Sequence, residues 1–282
     1  MKKIALIFCI LICCGFSKAQ DTTVFQSVMD DFNRCYENAL TSDNDSLKLK
    51  FALSAADILE KSLNEDGVFG YNFYRIKNLS SVISSDGRLR VLTFGIALNS
   101  GSYAYHGFML YFDGKTVRVT RLREAKKDGL DLSHADMQAD NWFGAVYYEV
   151  TRFGDSKHPV YALCGWDGAD MFVNRKVLEQ VVFTPVGKPR FGGKFQSEDS
   201  ENNTRLVFTY TEKAAMSLSY DKKLKAIVGD HLNALPQYKG NPRFYGPDMT
   251  FDGFYYDGGR WYYLEDVDVK LKSDQQKGKK QK

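Results

Sequence analysis

Histidine and acidic side chains near the ends of predicted strands are the residues of this chain that could do chemistry. His231 follows Asp230 in "AIVGDHL", and a histidine held by an acid can act as a general base. Adjacent residues of a strand point to opposite faces, so these two side chains would meet only if the chain turns there. The alternative interpretation is a structural histidine with a satisfied hydrogen bond.

A pair of acids near the C terminus is a second candidate. Asp266 and Asp268 stand two residues apart in "WYYLEDVDVK", which predicts that they share one face of a last strand. Two close carboxylates could bind a cation or act as an acid and a base, since proximity separates their pKa values. Alternatively, both acids simply face solvent.

The stretch "CGWDGADMF", residues 164–172, is either a binding loop or the bend of a hairpin. Asp-Gly between two extended runs predicts a turn, and this turn would explain Asp167 without any ligand. Trp166 is predicted to share the buried strand face with Cys164. Asp170 beside a tryptophan is the residue that the hairpin alone does not require, so Trp166, Asp167 and Asp170 remain binding candidates.

Aromatic residues are dense in "YKGNPRFYGPDMTFDGFYYDGGRWYY", residues 238–263. Flat rings could stack on a sugar or a peptide. They could equally form the core of a hairpin that turns at residues 257–259. Tyr245, Asp248 and Asp252 are predicted to lie in a loop, where they are the better candidates for a ligand-binding surface.

Motifs and charge exclude several classes of function. The chain has no G-x-S-x-G elbow, HExxH, P-loop, EF-hand loop or helix-opening GxGxxG, so the sequence predicts no cofactor and no common hydrolase signature. Cys35 and Cys164 lack CxxC spacing, which argues against a metal site. They are either a disulfide or two buried free thiols. The body of the chain is mildly acidic, so no nucleic-acid groove is predicted.

The N terminus is typical of a secretory signal peptide. Two lysines precede a short apolar run, and small residues at Ser17 and Ala19 predict cleavage before Gln20. Acylation at Cys13 or Cys14 is the alternative. No later apolar stretch is long enough to span a membrane. We therefore expect residues 1–19 to be a signal peptide and the protein to be exported to the periplasm, the cell surface or the medium.

Periodicity predicts an α+β fold that is mainly antiparallel β. Residues 20–67 repeat apolar positions at helical spacing and predict an antiparallel helix pair packed on a sheet. From there to residue 269 the period is two, and Asp-Gly pairs at 86 and 113 predict hairpins. Ten to twelve strands in a sandwich or partly open barrel are expected. The Lys-rich tail, 270–282, is predicted to be disordered.

Several motifs together resemble a family of secreted Bacteroidota proteins. They include "SSDGRLRVLTFGIAL", "GKPRFGG", "IVGDHL" and "RFYGPDMTFDGF", and they cover most of the chain after residue 19. The resemblance implies a Gram-negative envelope or exterior and supplies no activity for any residue. From the residues themselves we expect a non-catalytic binding module for a glycan, a peptide or an envelope component. A secreted hydrolase that uses clustered carboxylates or His231 is the alternative.

Overall fold

The computed structural model describes residues 17–65, 67–200 and 202–269. It begins with two helices, α1 (Ser17–Thr41) and α2 (Asp45–Ser62). α2 begins after Asn44, whose side chain accepts a hydrogen bond from the backbone N–H of Leu47 at 3.1 Å. This cap satisfies one of the free donors of the first helical turn, so the short linker both separates the helices and starts the second.

Thirteen strands follow in the described part of the chain, and all of their pairings within sheets are antiparallel. The first sheet contains β1 (Ser80–Ile83), β2 (Leu89–Ala97), β3 (Tyr103–Phe112) and β4 (Val117–Arg123). The middle sheet contains β5 (Val146–Gly154), β6 (Pro159–Asp167), β7 (Val173–Phe183), β8 (Pro189–Phe191) and β9 (Leu206–Thr211). The outer sheet contains β10 (Leu218–Asp221), β11 (Ala226–Asn233), β12 (Gly246–Asp257) and β13 (Arg260–Leu264).

The helix pair and the three sheets pack as successive layers with a hydrophobic core in each interface. Phe94 and Leu110 of the first sheet pack against the helices, whereas Val91 and Met109 face the middle sheet. The central strands β2 and β3 are thus buried on both faces, which explains their nearly continuous apolar runs. The α+β, mainly antiparallel fold expected from the sequence is confirmed.

The middle sheet is covered on both sides as well. Leu163 and Val177 pack toward the first sheet, and Ala162 and Leu178 pack toward the outer sheet. Trp261 is among the fully buried residues of this second interface. The outer sheet therefore packs one face on the core, and the edge where it meets β9 is available to build a cleft.

Both cysteines of the described chain are free thiols. Cys35 packs against the core under the helices, and Cys164 is buried in the core between the middle and outer sheets. The two residues therefore belong to different layers, and the disulfide alternative is not formed. Burial raises the pKa of the Cys164 thiol well above its ordinary value.

Within the described residues, no helix is long and apolar enough to cross a bilayer. Four short 3-10 helices lie in the described connections, at Val68–Gly70, Ala139–Asn141, Pro236–Tyr238 and Pro242–Phe244. The predicted signal peptide up to residue 16 and the predicted tail, 270–282, lie outside the described residues.

Candidate functional site

His231 lies on β11 opposite an irregularity of β12. Asp230 pairs with Phe251 and Leu232 with Pro247, so His231 alone faces residues 248–250 and has no partner in the ladder. Asp252 pairs with Gly229, two residues before His231, and positions two apart share a sheet face. The His231 Nδ1 therefore reaches the Asp252 Oδ2 diagonally across the two strands, at 2.9 Å. The acid that holds His231 is thus 21 positions away, in place of Asp230.

Two further side chains lie beside this pair, one joined by a hydrogen bond and one by a longer charge contact. The Tyr263 hydroxyl donates to the Asp252 Oδ1 at 3.1 Å. Asp248 places its Oδ2 4.0 Å from the His231 Nε2, and it also accepts from the Asn233 amide at 3.3 Å. We call His231, Asp248, Asp252 and Tyr263 the histidine cluster. It is half-buried, and only 11% of the Asp252 side chain is exposed.

Electrostatics in the histidine cluster favour the charged forms of its histidine and of Asp248. Burial lowers the pKa of His231, but the hydrogen bond and charge of Asp252, with the charge of Asp248, outweigh it and raise the pKa above the ordinary value. Burial raises the pKa of Asp248, but hydrogen bonds from Thr250 and Asn233 dominate and lower it. Burial and Asp252 raise the pKa of Tyr263.

A cleft of about 560 Å³ opens beside the histidine cluster, where β9 meets the outer sheet. Its lining carboxylates are those of Asp131, Glu198, Asp199 and Asp252, and its rings include Phe208, Phe254, Tyr245 and Tyr263. None of the described residues that line it is a lysine or an arginine. We call this depression the acidic cleft, because its fixed charges attract cations.

An apolar depression of about 550 Å³ lies beside the acidic cleft, because Asp248 on its wall is 4.0 Å from His231 of the cleft. Leu235 is 62% exposed on its wall and Phe244 is 48% exposed. The Phe244 ring stacks on Tyr238 with centroids 4.1 Å apart. An exposed group of apolar side chains next to polar anchors is typical of a binding surface.

Comparison with protein-family models and with curated proteins finds no match to this chain. The chemistry of the cleft therefore has to be judged from its own residues.

The titratable groups that line the acidic cleft are carboxylates, two imidazoles and two tyrosine hydroxyls. In the described chain, no group of three or more His, Cys, Asp or Glu side chains could hold a metal ion. Ser197 lines the cleft, but its hydroxyl donates to the Ser200 carbonyl and accepts from Asn203 at 3.0 Å, away from any imidazole contact. His231 therefore has an orienting acid but no hydroxyl or thiol nucleophile among its hydrogen-bond partners.

Two more predicted candidates lie near the histidine cluster in different roles. Tyr245 lines the acidic cleft, and its hydroxyl accepts from the Gly240 N–H at 3.1 Å. Asp230 instead accepts from the Ser217 N–H at 2.6 Å, so it ties β11 to the start of β10. Asp248 and Asp252 were expected in a loop but lie on β12.

Asp167 is buried, and the expectation that it forms the hairpin turn is wrong. Strand β6 continues through it, because its carboxylate is held by the Lys127 ammonium and the Arg175 guanidinium, both at 3.1 Å. The bend falls on residues 168–172 instead. There Asp170 accepts from the N–H groups of Phe172 and Val173 at 2.7 and 3.0 Å. The hairpin thus does require Asp170, contrary to the expectation.

Trp166 is half-buried and packs edge-on against Tyr103, with ring centroids 5.2 Å apart. Its neighbour Cys164 is buried as expected. Neither Trp166, Asp167 nor Asp170 lines the acidic cleft. This stretch therefore lies away from the acidic cleft, and the contacts of all three candidate residues are accounted for by their roles in the fold.

Asp266 and Asp268 do not share a strand face, so that expectation is wrong. Strand β13 ends at Leu264, and Asp266 has a positive φ of 52°, which turns the chain out of the sheet. Both acids are exposed, while the Val267 N–H between them donates to the Phe251 carbonyl at 2.8 Å. The segment is therefore fastened by its backbone, and its carboxylates face solvent.

Sequence reasoning missed several residues of the acidic cleft. Tyr263 was treated only as one ring of an aromatic run. Asp131, Glu198 and Asp199 carried no signal, because they come from loops far away in the chain. The Asp131 carboxylate and the His134 imidazole are 2.9 Å apart, and a histidine three residues after an acid in a polar loop was the one available hint.

Proposed function

We propose that this chain is an exported, non-catalytic binding protein whose acidic cleft takes a basic peptide segment. The observation that carries the proposal is the lining of the cleft, which combines four carboxylates with aromatic rings and includes no lysine or arginine among its described residues. Ammonium and guanidinium groups satisfy such carboxylates with charge-assisted hydrogen bonds. Export rests on the signal-like N terminus of the sequence.

A peptide fits the two adjoining depressions better than an isolated cation does. A lysine or arginine side chain would enter beside Glu198 and Asp199, which are both exposed at the cleft. A neighbouring apolar residue would then cover Leu235 and Phe244 in the apolar depression. Aromatic anchors beside charged pairs are the usual composition of such interfaces.

His231 gives this binding a pH dependence. The imidazolium form adds a positive charge to the wall of the acidic cleft, and it is stabilised there by Asp252 and Asp248. Protonation therefore reduces the attraction for a basic ligand. We expect the affinity for a basic peptide to increase as the pH rises through the raised pKa of His231.

Titration calorimetry with short peptides tests the proposal. A Lys-Phe-containing peptide should bind, and a peptide with glutamate in place of lysine should not. The double variant Glu198→Gln/Asp199→Asn should weaken binding about tenfold, which corresponds to about 1.4 kcal/mol. Glu37→Gln/Asp43→Asn, which removes two exposed acids in and just after α1, is the matched control and should bind normally. Equal binding by the cleft variant and this control would refute the proposal.

A hydrolase is the second candidate, favoured by the 2.9 Å contact between His231 and Asp252. In that case Asp252 would orient the imidazole, and the Nε2 would activate a water against a bound peptide or glycan. Product analysis after long incubation with peptide and oligosaccharide mixtures decides between the two. Turnover by the wild type that is lost in His231→Ala would establish the hydrolase, and binding without turnover would support the binding protein.

A further inference from the structure

Strand β4 forms one edge of the first sheet and leaves half of its backbone groups pointing outward. Residues of an antiparallel pair alternate between hydrogen-bonded and non-bonded positions. The Asp113 N–H donates to the Thr116 carbonyl, so even-numbered residues of β4 bond inward to β3. The Arg123 carbonyl, by contrast, accepts from the Trp142 N–H at 2.6 Å on the other side. The odd-numbered residues therefore present their N–H and C=O groups outward.

This edge is open between Val117 and Arg121. Within the part of the chain that the structure describes, no residue hydrogen-bonds the outward backbone groups of Val117, Val119 or Arg121. At the far end the chain itself already pairs with the edge, through a parallel bridge between Glu124 and Trp142. The segment at Trp142 thus already pairs beside the end of β4, whereas residues 117–121 of the edge have no strand partner among the described residues.

The open edge forms one wall of a groove of about 830 Å³. The turn between β7 and β8 forms the opposite wall, and the loop around residues 136–140 closes one end. Basic side chains predominate along it, at Arg118, Arg121, Arg123, Lys188 and Arg190, against Asp136 and Asp140. We call it the basic groove.

Most of the positive charge in the basic groove is available to a ligand. Arg121 is held by Asp57 and Glu60 of α2, at 2.7 and 2.6 Å. Arg123, Lys188 and Arg190 are exposed, and none of them forms an ion pair with a described residue. The groove therefore pairs unused backbone hydrogen-bonding groups with unused positive charge.

We propose that the basic groove binds an acidic peptide segment that adds to β4 as an extended strand. Backbone hydrogen bonds to Val119 and Arg121 would supply affinity, and carboxylates on alternate residues would meet Arg123, Lys188 and Arg190. The same basic residues repel β4 of a second copy, because like charges oppose each other across an edge-to-edge contact. The edge is thus selective for an acidic strand. This site is distinct from the acidic cleft.

Peptide backbone chemistry tests strand addition separately from charge. We would measure, by fluorescence anisotropy, binding of a labelled peptide of about eight residues that alternates glutamate and threonine. A second peptide of the same sequence carries N-methyl groups on consecutive central residues, which keeps its charge but blocks hydrogen bonding along both of its edges. The parent peptide should bind at least about tenfold more tightly than the methylated one. Equal affinities, or no binding of the parent, would overturn the proposal.

Two further measurements locate the site. Arg123→Glu/Arg190→Glu should weaken binding by at least about tenfold, whereas Lys222→Glu/Lys223→Glu, the charge-matched control in the β10–β11 turn, should not. In the wild type, bound peptide should slow hydrogen exchange at the amides of Val119 and Arg121. If a sulfated oligosaccharide competes fully while those amides exchange unchanged, the groove binds anions by charge alone and the strand proposal is wrong.

Discussion

Replacing Arg205 by methionine is expected to lower the free energy of unfolding strongly, because it breaks a buried ion pair. The Arg205 Nε lies 2.8 Å from the Glu179 Oε1, and only 1% of either side chain is exposed. Glu179 also accepts from the Tyr147 hydroxyl, so its carboxylate has no route to water. Removing one partner of such a pair costs about 3–5 kcal/mol, because the remaining charge stays buried and uncompensated.

The same substitution should loosen the acidic cleft. The Arg205 Nη1 donates to the carbonyls of Leu132 and Ala135, at 2.8 and 2.9 Å, and so holds the loop that brings Asp131 and His134 to the rim. The cost of removing one partner of a buried pair already includes the loss of these bonds. Methionine approximates the length of the side chain, so the change isolates polar contacts from packing.

Urea denaturation measures the effect, with the free energy of unfolding extrapolated to water. We expect Arg205→Met to lose about 3–5 kcal/mol. Tyr147→Phe should lose at least about 1–3 kcal/mol, because it removes two buried hydrogen bonds, one donated to Glu179 and one accepted from the Trp142 Nε1. The double variant Glu179→Leu/Arg205→Met should be less destabilised than the sum of its single variants, since it leaves no unpaired charge. A loss below about 1 kcal/mol for Arg205→Met would refute the reasoning, because that value is typical of a solvated surface pair.

Two other predictions concern titratable groups. The raised pKa of His231 means that its protonation stabilises the folded state at acidic pH, and this contribution is lost as the pH rises through the folded-state pKa. The difference in unfolding free energy between the wild type and His231→Gln should therefore be larger near pH 5.5 than near about pH 8.5, and a constant difference would contradict it. Thiol labelling of the folded protein should modify Cys35 before Cys164, because Cys164 is buried and its thiol pKa is raised. Equal rates would show that the core between the middle and outer sheets opens readily.

Local signals account for the parts of the fold that the sequence predicted correctly. The helix pair follows from periodicity and a polar linker, and the structure caps the second helix at Asn44 as such a linker allows. Turns at Asp113-Gly114 and Gly258-Gly259 connect the strands expected there. Stacking of three sheets was not predictable, because it depends on contacts between strands that are far apart in the chain.

Whether a predicted site residue was placed correctly depended on contacts with residues far away in the chain. His231 was identified by its acidic neighbourhood, but its actual partner is set by the register between β11 and β12, which no short pattern records. Asp167 looked like a turn residue because Gly168 follows it, yet its role comes from Lys127, 40 positions away. Asp266 was predicted to lie on a strand, but its positive φ turns the backbone out of the sheet.

Binding of a lysine side chain in the acidic cleft is tested most directly by a double-mutant cycle, in which both the peptide and the acidic cleft are changed. One peptide carries lysine and the other carries norleucine, which keeps the length and apolar stem but removes the charge. With the wild type, the lysine peptide should bind about tenfold more tightly, and with Glu198→Gln/Asp199→Asn this advantage should shrink to about twofold or less. An advantage of the same size for both proteins would show that the lysine does not contact the acidic cleft, and the account of its function would be wrong.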